Sequence, residues 1–145
     1  MLKLCLFVTV CILAVISVYG QSQDLKSCRA VFSEQNRKQL TWINQCVKQL
    51  GYKSAREKTQ KSTCVWKCVL DNFNMLNGDG NLDTNQYNKH LTEEWPAHML
   101  DRANTTFQPC LKIGGETTQD EFCKGYDPLI KCLTRNFANL CKGIK

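Results

Sequence analysis

The chain is expected to fold as an all-α domain fastened by disulfides. Three features carry that expectation: eight cysteines downstream of an apolar N-terminal leader, apolar residues recurring at three- and four-residue steps, and no sustained alternation of the kind a half-buried strand requires.

The leader comes first. Met1-Leu2-Lys3 is short and basic, Leu4 to Val18 is an uncharged apolar run, and Val18 and Gly20 stand three and one residues before a cut ahead of Gln21. This is the layout of a secretory signal peptide over residues 1–20. The run is shorter than the roughly 20 residues that span a bilayer, so stable membrane insertion is not expected. Residues 21–145 then form one secreted, extracellular domain. Cys5 and Cys11 leave with the leader, and Cys28, Cys46, Cys64, Cys68, Cys110, Cys123, Cys132 and Cys141 remain. An even count in an oxidising compartment reads as a disulfide framework.

The formal net charge is +6, and loss of Lys3 leaves +5. The basic residues are scattered and no tight basic block stands beside stacking aromatics, which argues against a nucleic-acid partner. No cofactor or metal is expected. His90 and His98 lie far from any second cysteine pair, so the Cys64-x3-Cys68 pair lacks the other ligands of a zinc site. Asp79-Gly80-Asn81-Leu82-Asp83 opens like a calcium loop, but Thr84 and His90 occupy the positions that need Gly and Glu, so it reads as a turn. Enzymatic activity is not expected either. Neither histidine is followed by Asp, and the two are eight residues apart across the Trp95-Pro96 interruption, with no nucleophile–base pair evident.

About six helices are expected. Leu25 to Phe32 forms a first one, and Leu40, Ile43, Val47 and Leu50 mark a second that stops at Gly51. Lys53 to Lys61 is polar and reads as a loop. Ser62-Thr63 offers a cap for a helix carrying Cys64 to Phe73, and Asn77-Gly78-Asp79-Gly80 is a turn. Asp83 or Thr84 caps a helix through Leu91. Pro96 is tolerated in the first turn of another reaching Phe107, before a Gly114-Gly115 loop. Thr118 and Glu121 have capping-box spacing and open a last helical region to about Leu140, kinked or broken and recapped at Asp127-Pro128.

The cysteine spacing is C-x17-C-x17-C-x3-C-x41-C-x12-C-x8-C-x8-C. Cys64 and Cys68 stand one turn apart with Cβ atoms about 5–6 Å from each other, whereas a disulfide wants about 3.5–4.5 Å. Each is therefore expected to tie its helix to a different element. On one continuous last helix Cys123 and Cys141 would share a face and Cys132 would point away, although Pro128 disturbs that phase.

The stretch Cys64-x3-Cys68-x41-Cys110-x12-Cys123-x8-Cys132, with Cys64-Val65-Trp66-Lys67-Cys68 running into Leu76-Asn77-Gly78-Asp79-Gly80-Asn81-Leu82, resembles the insect odorant-binding protein family of the pheromone and general odorant-binding type. The resemblance covers nearly the whole chain after the leader. It implies six helices around an apolar cavity and transport of small hydrophobic molecules, with a chemoreceptor as a further partner and a monomer or weak homodimer as the assembly. The interval from Cys46 to Cys64 is shorter than the family's first interval, which assigns the first family position to Cys28. The family's pairing then implies Cys28–Cys68, Cys64–Cys123 and Cys110–Cys132, with Cys46–Cys141 as an added fourth bridge that pins the C-terminal tail. An alternative role on the same fold is a salivary or haemolymph protein that sequesters amines or lipids. An amine site would want carboxylates beside aromatics, and Asp71 near Phe73 and Glu94 near Trp95 are the candidates.

The helical faces supply the candidate ligand-binding residues: Phe32, Ile43, Trp66, Val69, Phe73, Leu76, Trp95, Met99, Phe107, Leu133 and Phe137, with Val47, Leu91, Leu100 and Leu129 beside them. The competing reading of each is ordinary core packing; aromatics are favoured for their large, flat contact area. His90 and His98 are expected at the surface, against a reading in which they titrate and loosen the cavity in acid. Asn104-Thr105-Thr106 is a glycosylation sequon.

Overall fold

The computed structural model describes residues 26–144. The proposed leader and the start of the first expected helix at Leu25 lie outside the described residues. Among the described residues six α-helices and one 3-10 turn follow one another: α1 (Cys28–Leu50), α2 (Ala55–Gln60), α3 (Ser62–Asn72), α4 (Thr84–Glu94), α5 (Ala97–Gly114), the turn Lys124–Tyr126, and α6 (Asp127–Asn139). Among the described residues there is no strand, only a single bridge between Leu76 and Leu82. No helix among them is long and apolar enough to cross a membrane.

The two helices expected before Gly51 are one. No Gly or Pro separates Phe32 from Leu40, and Glu34, Gln35, Arg37, Lys38 and Gln39 are good helix formers. Ser27 caps the start by accepting from the Ala30 N–H at 3.3 Å. Gly51 ends the helix in the left-handed conformation, at φ 57°. The polar stretch expected as a loop contains α2. Its cap is the Ser54-x-x-Glu57 pattern: Ser54 Oγ accepts from Glu57 N–H at 3.1 Å, and the Glu57 carboxylate accepts from Lys53 N–H at 3.0 Å. Ser62 and Thr63 do not cap α3 but lie in its first turn, with Lys61 at the cap position. The Thr63 hydroxyl instead donates to Asp127 at the start of α6.

The turn after α3 is built as expected. Asn77 Oδ1 accepts from the N–H groups of Asp79 and Asn81 at 3.0 and 2.9 Å. Gly80 has φ 80°, and a Cβ there would meet the Tyr126 hydroxyl at 2.8 Å, so this position needs glycine. Asp83 caps α4 through Asn85 and Gln86, and the helix continues past Leu91 to Glu94. α5 runs past Phe107 and through Pro109 to Gly114. Cys110, which follows the proline, is bonded to Cys132 on α6, and α5 and α6 form the most extensive helix pair.

Thr118 and Glu121 do not open a helix. Asp120 takes the local donors instead: its carboxylate accepts from Phe122 N–H at 2.9 Å and Gly125 N–H at 2.8 Å. Cys123 adopts φ 55°. The helix starts only at Asp127, with Pro128 in its first turn, where the missing N–H costs nothing. The phase relation expected between Cys123 and Cys141 therefore does not arise.

The eight cysteines among the described residues are all paired, and two of the four expected bridges are different. The bridges are Cys28–Cys141, Cys46–Cys68, Cys64–Cys123 and Cys110–Cys132. Cys64 and Cys68 do bind different elements. The expected Cys28–Cys68 and Cys46–Cys141 pairs fail because α1 is continuous. Its 18-residue step from Cys28 to Cys46 is five turns, so the two thiols share a face about 27 Å apart along the axis. The end of α1 beside α3 carries Cys46, and Cys28 sits at the far end beside the C-terminus. The added bridge is thus Cys28–Cys141. It does pin the tail, as Arg102 also does by donating from Nη2 to the Lys142 carbonyl at 2.9 Å and from Nε to the Leu140 carbonyl.

Candidate ligand-binding cavity

Five helices enclose a cavity of about 110 Å³. All but α5, which gives one residue, contribute a stripe at helical spacing. α1 gives Gln35, Gln39 and Trp42; α3 gives Trp66, Val69 and Leu70; α4 gives Tyr87, His90 and Leu91; α5 gives Phe107; α6 gives Ile130, Leu133, Thr134 and Phe137. Met75 and Trp95, in the connections on either side of α4, complete the wall. Thr134 is exposed, and Gln39, Trp42, Trp66, His90 and Leu133 are half-buried, so the cavity meets solvent on this side.

Of the eleven residues singled out from the sequence, the wall brings together Trp66, Val69, Trp95, Phe107, Leu133 and Phe137, with Leu91 beside them. The other five lie elsewhere. Phe32 stacks behind Phe137 with ring centroids 4.6 Å apart. Ile43, with Val47, packs in a satellite cluster with Cys46, Val65 and Val69 where α1 meets α3. Phe73 lies against Trp42 and His90, at 4.4 and 4.5 Å between ring centroids. Leu76 belongs to the bridge with Leu82, and Met99 and Leu129 are buried in the main core with Leu100 against it.

The sequence reading missed Gln35, Gln39, Trp42, Leu70, Met75, Tyr87, His90, Ile130 and Thr134. Spacing held a signal for several of them. Gln35, Gln39 and Trp42 follow steps of four and three, and Leu133 and Thr134 stand three and four residues after Ile130, but the polar members hide the stripe.

The lining carries no Asp, Glu, Lys or Arg. Asp71 is exposed and paired with Lys67 at 2.6 Å, and the Glu94 carboxylate pairs with Lys38 at 2.8 Å. Neither carboxylate expected for an amine site belongs to the wall. The Glu94 backbone carbonyl does serve the site, because it accepts from Gln35 Nε2 at 2.7 Å and so fixes that buried amide.

The two histidines differ. His98 is exposed, with Nε2 3.0 Å from the Lys26 carbonyl. His90, expected at the surface, is half-buried against Trp42 and Phe73. Burial lowers its pKa below the usual 6.5 and outweighs Glu94 and Glu93, which favour the proton, while Lys38 opposes it. A histidine whose folded pKa is depressed binds its proton more readily when unfolded. The fold therefore loses stability as pH drops below 6.5 toward the depressed value, and the loss levels off beneath it. His90→Gln is expected to flatten this part of the stability profile. Thermal unfolding of both proteins from about pH 7.5 to 4.5 checks it, and equal slopes would refute it.

Neither the curated proteins nor the solved structures contain a match to this chain. The model of the PBP/GOBP family matches residues 28–136, which hold seven of the eight paired cysteines and all of the cavity wall except Phe137. This helical, disulfide-bonded chain belongs to the PBP/GOBP family, a family of binding proteins for small hydrophobic ligands.

Proposed function

We propose that the chain is an extracellular carrier that takes up small hydrophobic molecules, odorants or pheromones among them, and delivers them to a chemoreceptor or buffers their concentration. The observation that carries this reading is the uncharged cavity ringed by Trp42, Trp66, Trp95, Phe107 and Phe137. Burying ligand against such a wall gains roughly 25 cal/mol per Å² of apolar surface, and a few polar groups among apolar ones fix orientation. The size of the cavity supports small cargo, since apolar cavities of about 150 Å³ take benzene-sized guests. Larger ligands would seat only with movement of half-buried side chains such as Trp42 and Gln39.

The four bridges support a life outside the cell, where such bonds persist. They also offset the packing that a hollow core forfeits. Asn104 is exposed on α5, as use of its sequon requires. Native mass spectrometry of protein from its own tissue tests the carrier reading. A co-purified neutral apolar molecule is expected. An empty cavity that also fails to take up an apolar fluorescent probe would overturn it.

A further inference from the structure

The surplus positive charge of this chain is gathered in one stretch. Residues 37–67 hold eight Lys and Arg against the single acid Glu57, which is more than the whole formal excess of +6. Three of the eight are answered: Lys38 pairs with Glu94 at 2.8 Å, Lys61 stands 3.6 Å from Glu121, and Lys67 pairs with Asp71 at 2.6 Å. Arg37, Lys48, Lys53, Arg56 and Lys58 are exposed, and none of them meets a carboxylate among the described residues. Glu57 is engaged already. It accepts from the Lys53 backbone N–H at 3.0 Å and lies 3.9 Å from Lys61.

The fold turns these scattered positions into a row. Arg37 and Lys48 are eleven residues apart on α1, or three turns, so they share a face about 16 Å apart along the axis. Gly51 then ends the helix, and Lys48, Lys53 and Lys58 line one open hollow of about 480 Å³ together with Tyr52 and Ser54. No acid lines it. Arg56 stands on α2 beside Lys58. Uncompensated like charges held side by side focus a positive potential, and the complement of a row of them is a linear polyanion. Base stacking is not served here, because Tyr52 is half-buried and gives its hydroxyl to the Lys61 carbonyl at 2.8 Å, which argues against a single-stranded nucleic acid. In the oxidising, extracellular setting that disulfides suit, the dense linear polyanions are sulfated polysaccharides.

We infer that the face running from Arg37 along α1 and onto α2 binds a sulfated polysaccharide, whose sulfates take charge-assisted hydrogen bonds from Arg37, Lys48, Lys53, Arg56 and Lys58. None of the five lines the cavity. A chain held this way at an extracellular surface or matrix keeps its cavity free for cargo. The inference rests on the extracellular part of the reading above and is independent of what the cavity carries.

The test titrates heparin fragments into the natural chain, with polyglutamate as an unsulfated polyanion and phosphatidylserine vesicles as an anionic surface. Saturable binding of heparin is expected, tighter than that of either rival and weakening as salt rises. Lys53→Gln with Lys58→Gln is expected to lower heparin affinity about three- to tenfold, in keeping with two exposed charge contacts. Lys131→Gln with Arg135→Gln removes the same charge from α6, where both side chains line a different hollow beside Pro109 and Ile113. That variant is expected to change heparin affinity by less than about twofold, since distant exposed charges are screened. All four side chains are exposed, so thermal unfolding should show a retained fold in both variants. No heparin binding, or an equal loss in the two double variants, would overturn the inference. Polyglutamate bound as tightly as heparin would overturn it in favour of an acidic protein, and vesicles bound as tightly would overturn it in favour of a membrane surface. Uptake of an apolar probe by the same samples is read separately, so each of these outcomes leaves the carrier reading standing or falling by itself.

Discussion

Replacing Cys28 and Cys141 together by serine is expected to cost about 4–5 kcal/mol, the largest loss of any single bridge. The two residues are 113 apart in sequence, whereas Cys46–Cys68 and Cys110–Cys132 each span 22 and Cys64–Cys123 spans 59. In the chain-entropy account a longer closed loop removes more freedom from the unfolded state. That gives about 4.8 kcal/mol for the longest loop and about 3.4 kcal/mol for the shortest. Cys28 is buried at the foot of α1 and is not part of the cavity wall. The double variant should therefore unfold at lower denaturant yet bind ligand normally where it is folded. Urea unfolding measures the first and ligand titration the second. A non-reduced digest should yield peptides joining Cys28 to Cys141 and Cys46 to Cys68, and a Cys28–Cys68 peptide would contradict the arrangement.

Phe137→Ala is expected to couple stability to ligand choice. The ring is buried, stacks on Phe32 at an interplanar angle of 25°, and meets the edge of Trp95 at 6.4 Å. Truncating a buried Phe costs about 3–5 kcal/mol, part transfer and part cavity. Because the ring also forms wall, the lost volume adds to the existing 110 Å³. Affinity for benzene-sized ligands should fall, as contacts on one side are lost, and two-ring ligands such as naphthalene should gain. A variant as stable as the natural chain, or one with the same size preference, would show that Phe137 is not part of a ligand wall.

The helical class and most element positions were legible because the local signals were strong. Gly51, the Asn77–Gly80 turn, Asp83 and Pro96 punctuate the chain where the sequence places them. The misreadings share a cause: local pattern was trusted where tertiary context decides. Ser54-x-x-Glu57 and Thr118-x-x-Glu121 have the same spacing, but only the first caps a helix. The second competes with Asp120 and with the demand that Cys123 reach Cys64. The bridge assignment rested on the interval before Cys64, which gave the family's first position to Cys28, whereas the Cys46–Cys68 bridge gives that position to Cys46. A continuous helix moves Cys28 five turns from Cys46 and exchanges their partners.

The cavity was half legible. Aromatic wall residues such as Trp66 and Phe137 stand out as apolar positions on helical faces. Gln35, Tyr87, His90 and Thr134 do not, because a polar side chain at helical spacing reads as a solvent face until the opposing helices are in place. These polar members matter most for ligand choice, so specificity was the part of the site hardest to see.

All three tryptophans of the chain line the cavity, which makes the central claim directly measurable. Cyclohexanone is titrated into the protein while heat and intrinsic tryptophan emission are followed together at several temperatures. The expected result is saturable uptake of one molecule per chain, a negative heat-capacity change from apolar burial, and a change in emission that tracks occupancy. Uptake that never saturates, or that saturates with tryptophan emission unaltered, would contradict a ligand-binding cavity between these helices.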